Sequence, residues 1–350
     1  MKNKYLIILL SFIFTNVMVA QAQEEEEEAP LSLSGSVDTY YKYDFSGSPN
    51  IGTSFGEDQN SFSIGMANLI ASKEVGRASF VADLSFGPRS NNSIPNADFH
   101  IQNLYVSYAL TDKLSVTGGY MGTFVGYEVI SPTANFNYST SYLFTNGPFQ
   151  NAGLKFDYAI SDRFALMVGV FNDWNVYTQN DVAGNMDVNS FGAQLYVSPV
   201  DGWDAYINFV TGENNGNEID LTTTYQVSDA LLLGLNAASY SAAKIDNGDG
   251  TESDGGSFAG GALYVNYAIT DAFALGLRGE YFSDDKLGIL MGAEKSSVTA
   301  FTVSANIGSG PLKFIPELRL DSAEKDIFVD GDGAATGSAV QFLMAAVFAF

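Results

Sequence analysis

The sequence of 350 residues contains no cysteine and one histidine, His100. Without cysteine there is no disulfide, no thiol nucleophile and no cysteine-ligated metal site, and a lipid anchor on an N-terminal cysteine is not expected. A catalytic histidine needs a nucleophile or an activated water beside it. The segment His100-Ile101-Gln102-Asn103 has no local motif of this kind. We therefore expect neither an enzyme nor a cofactor.

Basic residues are also scarce. Lysine and arginine number 16 against 40 aspartate and glutamate residues, which gives a formal net charge of −24. Nucleic acid is excluded as a partner, because proteins bind it by neutralising phosphates with lysine and arginine. Charged residues make up only 16% of the chain and hydrophobic residues 46%, whereas soluble domains carry about a quarter charged residues. With 35 glycines, 26 phenylalanines and 19 tyrosines, this composition favours many strands and tight turns, with aromatic side chains at an interface.

Long apolar runs are missing except at the N-terminus. Lys2 and Lys4 precede an apolar segment from Tyr5 to Ala20, and Ala20-Gln21-Ala22 has the small-residue pattern of a cleavage site. Residues 1–22 are therefore predicted to be a secretory signal peptide. No later stretch reaches the roughly 18 continuous apolar residues of a membrane helix.

The predicted mature chain begins with an acidic segment. Residues 23–30 contain the run Glu24–Glu28 and are interpreted as a solvated periplasmic tail, because like charges repel each other. The remaining residues, 31–350, are rich in strand patterns. They belong either to a soluble all-β protein or to an outer-membrane barrel.

One nine-residue pattern occurs four times: Tyr, any residue, an aliphatic residue, Ser or Thr, Asp, any residue, Leu or Phe, any residue, and an aliphatic residue. Apolar residues two positions apart share one face of a strand. The Ser/Thr-Asp pair can bond its own backbone and favours a tight turn. Each copy is therefore interpreted as a hairpin corner of an antiparallel meander. The copies begin at Tyr108, Tyr158, Tyr225 and Tyr267.

The spacing of these corners predicts about 16 strands, with about 14 or 18 as alternatives, and loops of roughly 7 to 25 residues that alternate with tight turns. Alternation alone does not separate a soluble sandwich from a barrel, since the apolar face would cover a core in the first and meet lipid in the second. The signal peptide and the C-terminal Phe348-Ala349-Phe350 favour the barrel. The predicted fold is all-β: a closed antiparallel transmembrane β-barrel with short periplasmic turns and long outer loops.

The two faces of the predicted strands differ. One carries Leu, Val, Ile and Phe with tyrosine near the turn, which is typical of a lipid-facing surface with an aromatic girdle. The opposite face carries small and polar residues such as Gly192, Gln194, Thr222, Thr224 and Gln226, which indicates water inside, although Leu343 and Val347 are apolar exceptions. The predicted periplasmic girdle consists of Tyr108, Tyr158, Tyr225 and Tyr267. The candidate pore-lining residues are Asp38, Lys42, Asp83, Lys155, Asp157, Arg278, Glu280, Lys313, Glu317 and Arg319.

The hairpin corners and the terminal aromatic residue resemble Gram-negative outer-membrane porins in general. A central stretch is more specific: Ser131 to Pro148, leading into Ala152-Gly153-Leu154-Lys155, is similar to the OmpL-like β-barrel porin family of Bacteroidetes-type bacteria. The resemblance covers nearly all of the predicted mature chain. It implies a channel through the outer membrane and does not identify a solute.

The longest predicted connection, Phe124 to Phe149, is the third outer loop. In sixteen-stranded porins this loop folds inward and narrows the pore. The hypothesis for this chain is a constriction formed with the help of Glu128, Asn135, Tyr138 and Tyr142, facing basic wall residues such as Lys155 and Arg278. The alternative is an external loop packed on the barrel rim.

Two acidic segments, Asp246 to Glu252 and Asp330 to Gly333, look like fragments of calcium-binding loops. Calcium requires several oxygen ligands at defined positions, and neither segment completes the helix-flanked loop pattern. Both are interpreted as flexible acidic surface loops, and no metal site is predicted. We expect at most weak binding of divalent cations, through which these loops would bridge lipopolysaccharide.

These observations together predict a passive porin for small hydrophilic solutes or ions, because barrels of this size leave an aqueous channel. The excess of carboxylates favours cations. The alternative is a non-conducting outer-membrane barrel with a structural or adhesive role through its surface loops. Expected partners are outer-membrane lipid and lipopolysaccharide, the barrel-assembly machinery through the strand ending in Phe350, the solutes and, in a homotrimer, further copies of the chain.

Overall fold

The computed structural model describes residues 30–179, 187–246, 251–290, 295–308 and 310–350. Within these residues sixteen strands form one closed antiparallel barrel, so the predicted fold is confirmed and the strand number is sixteen rather than 14 or 18. The predicted signal peptide and the run Glu24–Glu28 lie outside the described residues. The barrel strands are β1 (Ser32–Asp44), β2 (Ser61–Val75), β3 (Ala78–Phe86), β4 (Ile101–Ala109), β5 (Leu114–Gly122), β6 (Gln150–Ser161), β7 (Phe164–Phe171), β8 (Ser190–Val197), β9 (Trp203–Gly212), β10 (Gly216–Gln226), β11 (Leu231–Ser241), β14 (Ser257–Thr270), β15 (Phe273–Asp285), β16 (Lys295–Ile307), β17 (Leu312–Ala323) and β20 (Ser338–Ala349).

Short elements decorate the outer loops. Two small hairpins and three helical turns occur among the described residues. None of the helices in this part of the chain has the length and apolar character needed to cross a membrane. The short elements are β12 (Ile245–Asp246) with β13 (Glu252–Ser253), β18 (Phe328–Val329) with β19 (Ala335–Thr336), α1 (Pro88–Asn91), a 3₁₀ turn (Ala97–Phe99) and α2 (Tyr142–Asn146).

The first and last strands close the barrel. β1 pairs antiparallel with β20, with Ser36 opposite Ala349 and Asp44 opposite Gln341, while its other edge pairs with β2. The backbones of Gly35 and Phe350 exchange two hydrogen bonds of 3.0 Å. Because the backbone groups of every barrel strand are paired with a neighbour, the sheet can cross a bilayer without exposing unsatisfied backbone groups to lipid.

The four repeated corners form the predicted tight turns. In each one, the Ser or Thr hydroxyl accepts a hydrogen bond from the backbone N–H two residues further along the chain, at 3.2 to 3.4 Å. This local bond offers the backbone an alternative to the sheet ladder, so the strand ends at or near the hydroxyl-bearing residue. The hydroxyls belong to Thr111, Ser161, Ser228 and Thr270.

One outer connection is much shorter than predicted. β9 and β10 are joined only by Glu213, Asn214 and Asn215, whereas the sequence predicted longer loops on this rim. Gly216 has a φ of 73°, which permits the tight reversal that a side chain would strain. The amides of Asn214 and Asn215 donate to Asp173 at 2.8 and 3.2 Å, which ties this short turn to the neighbouring loop.

The outward face is apolar along the barrel. On β4, for example, Leu104 is 50% exposed and Val106 is 60% exposed. The four tyrosines of the predicted girdle all point outward next to their turns and are 39–49% exposed. Their position is the one predicted, and their role as an interfacial girdle stays a prediction.

The inside of the barrel is not uniformly polar. At the outer ends of β14, β15, β16 and β20, inward apolar side chains pack against side chains of the outer loops. Leu343 and Val347 also point inward, where they pack with Tyr40, Tyr138 and Ile315. The expectation of a small and polar lining does not hold here, because the loops bend into the barrel and bury apolar surface against its wall. The larger cluster includes Phe258, Phe282, Val298 and Ala339 from the wall and Ile51, Leu143, Leu290 and Phe328 from the loops.

Candidate pore constriction

The third outer loop, residues 123–149, lies inside the barrel. Every residue of this segment is buried or half-buried. Near its start the ring of Phe124 packs on Phe171 with centroids 5.7 Å apart, and the N–H of Gly126 donates to Asp220 Oδ1 on β10 at 3.1 Å. The ring of Tyr127 then stacks on Tyr264 of β14 at 4.1 Å. The loop therefore follows the inner wall instead of packing on the rim.

Arg278 of β15 joins the two limbs of this loop. Its side chain is fully buried, and one guanidinium nitrogen lies 2.6 Å from Glu128 Oε1 on the outgoing limb. The same nitrogen donates to the carbonyl of Ser139 on the returning limb at 2.6 Å, and the second donates to the carbonyl of Thr140 at 3.3 Å. A buried guanidinium needs such partners, since an unpaired charge in this position would cost several kcal/mol, roughly 3–5.

Arg319 of β17 makes a second set of contacts. It forms a bidentate pair with Asp321 at 2.8 and 3.0 Å and donates to the carbonyl of Thr140 at 2.8 Å. The hydroxyl of Tyr142 donates to the same Asp321 at 2.8 Å. Burial raises the pKa of Tyr142 well above its usual range, so the phenol keeps its proton and remains a donor.

Glu280 of β15 holds the short helix α2. Its two carboxylate oxygens accept hydrogen bonds from the backbone N–H groups of Tyr142 and Leu143 at 3.0 and 2.9 Å. These N–H groups have no partner within the helix, because the first turn of any helix leaves its donors free. A wall carboxylate therefore fixes the start of α2 on the returning limb. The hydroxyl of Ser141 completes this end by accepting from Phe144 at 3.0 Å.

Tyr138 anchors the tip of the loop. It is completely buried, its hydroxyl donates to Asp38 of β1, and its backbone N–H donates to Glu317 of β17 at 2.9 Å. Burial raises the pKa of this phenol well above its usual range. The neighbouring Asn137 donates to Ser304 of β16 at 2.7 Å. The tip thereby spans three strands of the wall.

Two wall glycines let aromatic rings of the loop lie against the backbone. A Cβ atom at Gly276 would overlap the ring of Phe136, and a Cβ atom at Gly234 would overlap the ring of Tyr127. Both sites point inward. Glycine is therefore part of how the wall accepts this loop.

Two details of the predicted constriction differ from the structure. Asn135 does not contact the wall through its amide, which instead bonds the backbone of Val129 at 2.6 and 2.9 Å within the loop. Among the described residues Lys155 forms no ion pair with a loop carboxylate, and its ammonium group instead pairs with Asp157 of the same strand at 3.0 Å. Of the two basic residues predicted to oppose the loop, Arg278 alone does so.

The structure also brings in Arg89, which the sequence analysis missed. Arg89 belongs to α1 in the second outer loop and is 2% exposed. It donates to the carbonyls of Ile130 and Tyr138 at 3.0 and 3.4 Å, and its guanidinium lies over the rings of Phe55 and Tyr138 at 4.8 and 4.5 Å. Arg89 lies in a loop, where the sequence has no regular spacing from which an inward position could be predicted. Asp321 was also missed, although its position two residues after Arg319 places it on the same face.

The predicted pore-lining residues fall into three groups. Lys155 and Asp157 lie on the inner wall with 18% of each side chain exposed. Lys313 is exposed near the periplasmic turn of β17. The buried group on the inner wall consists of Asp38, Lys42, Asp83, Arg278, Glu280, Glu317 and Arg319.

The acidic segments adopt ordinary turn contacts where they are described. Asp330 closes the turn between β18 and β19, and its carboxylate accepts from the N–H groups of Asp332 and Ala334 at 2.9 Å. Glu252 pairs with Lys244 at 2.9 Å. Residues 247–250 of the other predicted fragment lie outside the described residues.

A closed sixteen-stranded barrel with a long outer loop folded against its inner wall defines the class of outer-membrane porins and channels. The chain belongs to the family described as "Putative beta-barrel porin-2, OmpL-like", whose model matches residues 30–350. The expected family is thereby confirmed, and the outer membrane is the location of this porin. Among curated proteins none matches the sequence significantly.

Solved structures support the same fold. The outer membrane channel DcaP of Acinetobacter baumannii superposes with a TM-score of 0.62 at 14% identity, covering 93% of this chain and 99% of that one. An anion-selective porin from Comamonas acidovorans gives 0.62 at 12% identity, covering 92% and 99%. The trimer form of OmpT, an outer membrane protein of Vibrio cholerae, gives 0.56 at 11% identity, covering 92% and 99%. At these identities the likeness concerns the fold.

Proposed function

We propose that the chain is a narrow porin through which small hydrophilic solutes or ions diffuse passively. One observation carries the proposal: Lys155 and Asp157 are on the inward face of β6, yet 18% of each side chain is exposed. Tyr105, Gln194, Tyr196 and Tyr206 are likewise half-exposed on inward positions. Side chains that point into the barrel and keep solvent exposure indicate water in the periplasmic half of the lumen.

The width of the pore is set by the third loop in this proposal. Glu128, Tyr138 and Tyr142 act as anchors that hold the loop on the wall, and Asn135 keeps the loop tip folded. The passing solute then contacts Lys155 and Asp157, the two predicted lining residues on the inner wall that keep solvent exposure. Burial removes Arg278 and Arg319 and also the wall carboxylates Glu280 and Glu317 from the lumen, so the proposed cation preference rests on the excess of carboxylates in the whole chain.

The second candidate is a barrel that does not conduct. It is favoured by the apolar cluster of wall and loop side chains at the outer end of the lumen, which would close the pore if it spanned the whole cross-section. Liposome swelling separates the two functions. Purified protein in liposomes should admit small sugars and exclude larger oligosaccharides, whereas liposomes that respond to no solute would support the non-conducting barrel.

Further properties follow as proposals. Residues 1–22 would direct export and be cleaved, and the strand ending in Phe350 would be recognised by the barrel-assembly machinery. Lipid and lipopolysaccharide would surround the outward face, with Tyr108, Tyr158, Tyr225 and Tyr267 at the periplasmic interface. A homotrimer is supported by the likeness in fold to an outer membrane protein solved in a trimer form. Cross-linking of the detergent-solubilised protein tests it, since a ladder ending at three copies is expected.

A further inference from the structure

A groove lies on the outward face of the barrel, close to its outer rim. Leu104 of β4 faces outward and is 50% exposed. Tyr120 of β5 pairs with Leu104 on one side and with Ala152 of β6 on the other, and residues directly opposite each other in a sheet share one face. The N–H of Asn172, directly after β7, donates to the carbonyl of Ala152 at 2.8 Å. The groove therefore extends across the outer ends of four neighbouring strands, β4 to β7.

Two outer loops form the upper wall of this groove. Phe99 belongs to the 3₁₀ turn before β4, and Tyr177 belongs to the loop after β7. The ring centroid of Tyr177 lies 4.6 Å from that of Tyr120 and 5.6 Å from that of Phe99. Its hydroxyl donates to the carbonyl of Ile101 at 2.6 Å, which fixes the ring in place. Ala152 faces outward but is only 6% exposed, so the aromatic rings cover part of the outward face.

The groove has the size of a ligand site and carries no charge. Its floor consists of the small residues Ala152, Gly119 and Gly153, which lie between larger neighbours. Its volume is about 450 Å³, which falls within the range of roughly 300–1,000 Å³ for ligand pockets. In the described part of the chain none of the residues that line it is charged. This lining suits a hydrocarbon chain and gives a phosphate group or a charged peptide no partner.

One lining residue adds a polar group at the rim end of the groove. Asn172 is half-buried there, and its side-chain amide has no hydrogen-bond partner within the described residues. An amide offers two N–H donors and an acceptor oxygen, and these are costly to leave unpaired in apolar surroundings. A hydrocarbon chain that carries a hydroxyl group near its point of attachment would supply the missing partner.

We propose that this groove binds one acyl chain of lipopolysaccharide. The groove lies at the loop end of the strands, which faces the outer leaflet of the outer membrane. The acyl chains of lipid A include chains with a hydroxyl group near the carbonyl, which suits Asn172, whereas ordinary phospholipid chains lack that hydroxyl. The apolar part of the chain then lies against Leu104 and Tyr120. The inference rests on the proposed contact of the outward face with lipopolysaccharide, and it is independent of whether the barrel conducts.

The direct test is native mass spectrometry of the full-length folded barrel in detergent, with lipid A or phosphatidylethanolamine added. Wild-type protein should retain one lipid A at a collision energy that removes phosphatidylethanolamine. Ala152→Phe fills the groove and should lower the retained fraction about tenfold or more, because even a few methylene groups that are no longer buried have this effect. Ala259→Phe is the matched control, since it adds the same ring to an exposed outward position of β14, and it should retain lipid A.

Two further measurements avoid a bulky substitution. Asn172→Leu keeps a side chain of similar size and should weaken the retention of lipid A while leaving that of phosphatidylethanolamine unchanged. Lipid A with a photoactivatable group on an acyl chain should label wild-type peptides that contain Tyr120 or Tyr177, and labelling spread evenly around the barrel would overturn the proposal.

The retention experiment has three outcomes that contradict the proposal. Lipid A retained equally by wild type and a folded Ala152→Phe barrel would exclude the groove as its site. Phosphatidylethanolamine retained as strongly as lipid A would assign the groove to phospholipid. A cross-linked oligomer ladder lost in Ala152→Phe, with retention of lipid A unchanged, would assign the groove to a second copy of the chain.

Discussion

Arg278 and Glu128 lie 2.6 Å apart in the barrel interior although 150 residues separate them in the sequence. The pair joins a wall strand to the outgoing limb of the third loop, and the same guanidinium also holds the returning limb. Both side chains are almost fully buried. If the loop left the wall, at least one of the two charges would lose its partner. This contact is therefore a strong restraint on the loop that narrows the proposed pore.

Replacing Glu128 with glutamine tests that restraint. Glu128→Gln leaves Arg278 buried without its counter-charge, so the free energy of unfolding should fall by about 3 kcal/mol, toward the lower end of the loss for a broken buried pair. The measurement is urea unfolding of the barrel followed by its heat-modifiable gel mobility. Asp201→Asn is the control, because the Arg163–Asp201 pair is solvent-exposed and should contribute little. Equal stability of Glu128→Gln and wild type would contradict the anchoring role.

Adding one methyl group at Gly276 should displace the loop tip. A Cβ atom there overlaps the ring of Phe136, whereas a Cβ atom at Gly279 meets Phe301 at 3.6 Å on the outer face. Gly276→Ala should therefore change single-channel conductance or add open-state noise, and Gly279→Ala should leave both as in the wild type. Identical traces from the two variants would show that the tip does not border the conducting path.

The phenol of Tyr138 should contribute to stability through Asp38. Tyr138→Phe leaves this buried carboxylate without one of its donors, at a cost of about 1–3 kcal/mol. Tyr108→Phe is matched in chemistry and lies on the outward face, where 47% of the side chain is exposed. Chemical unfolding should separate the two variants clearly. A loss at Tyr108 as large as that at Tyr138 would argue against the anchor.

Alkaline pH should weaken the loop. The pKa values of Tyr138 and Tyr142 are raised by burial, so the folded barrel favours the protonated phenols. In the unfolded chain a tyrosine has a pKa of about 10. Below that pH the stabilisation from the raised folded-state pKa is complete, and it is lost as the pH rises from the unfolded-state pKa toward the folded-state pKa. Unfolding free energy measured between neutral and strongly alkaline pH should fall, and the fall should be smaller in a Tyr138→Phe, Tyr142→Phe double variant. An unchanged pH slope in that variant would refute the prediction.

Sequence periodicity was enough to predict the strands because each one separates an apolar outer face from a different inner face. The periodicity did not predict the strand ends that extend beyond the membrane. β16 begins at Lys295, three residues before the first apolar residue of the strand, Val298, because polar residues at the outer rim continue the backbone ladder without adding to the apolar pattern. Strand ends in water carry little hydrophobic signal.

The site was predictable only in part, for a physical reason. Arg278 and Glu280 were identified because they alternate with apolar residues on one strand. The position of Arg89 depends on contacts between segments far apart in sequence. The same holds for the first outer loop, which turns inward at Phe55. A local sequence pattern does not predict such contacts. The apolar side chains Phe258 and Phe282 point inward against the expected rule, because folded-in loops create an apolar environment that a single strand does not reveal.

The most direct test of a loop-narrowed open pore is single-channel conductance of the purified wild-type barrel in a planar bilayer under a salt gradient. Steady open steps are expected, altered in Gly276→Ala, with a reversal potential that shows a preference for cations. A correctly folded, heat-modifiable barrel that stays silent in both wild-type and Gly276→Ala forms would contradict the pore and leave the non-conducting barrel as the function.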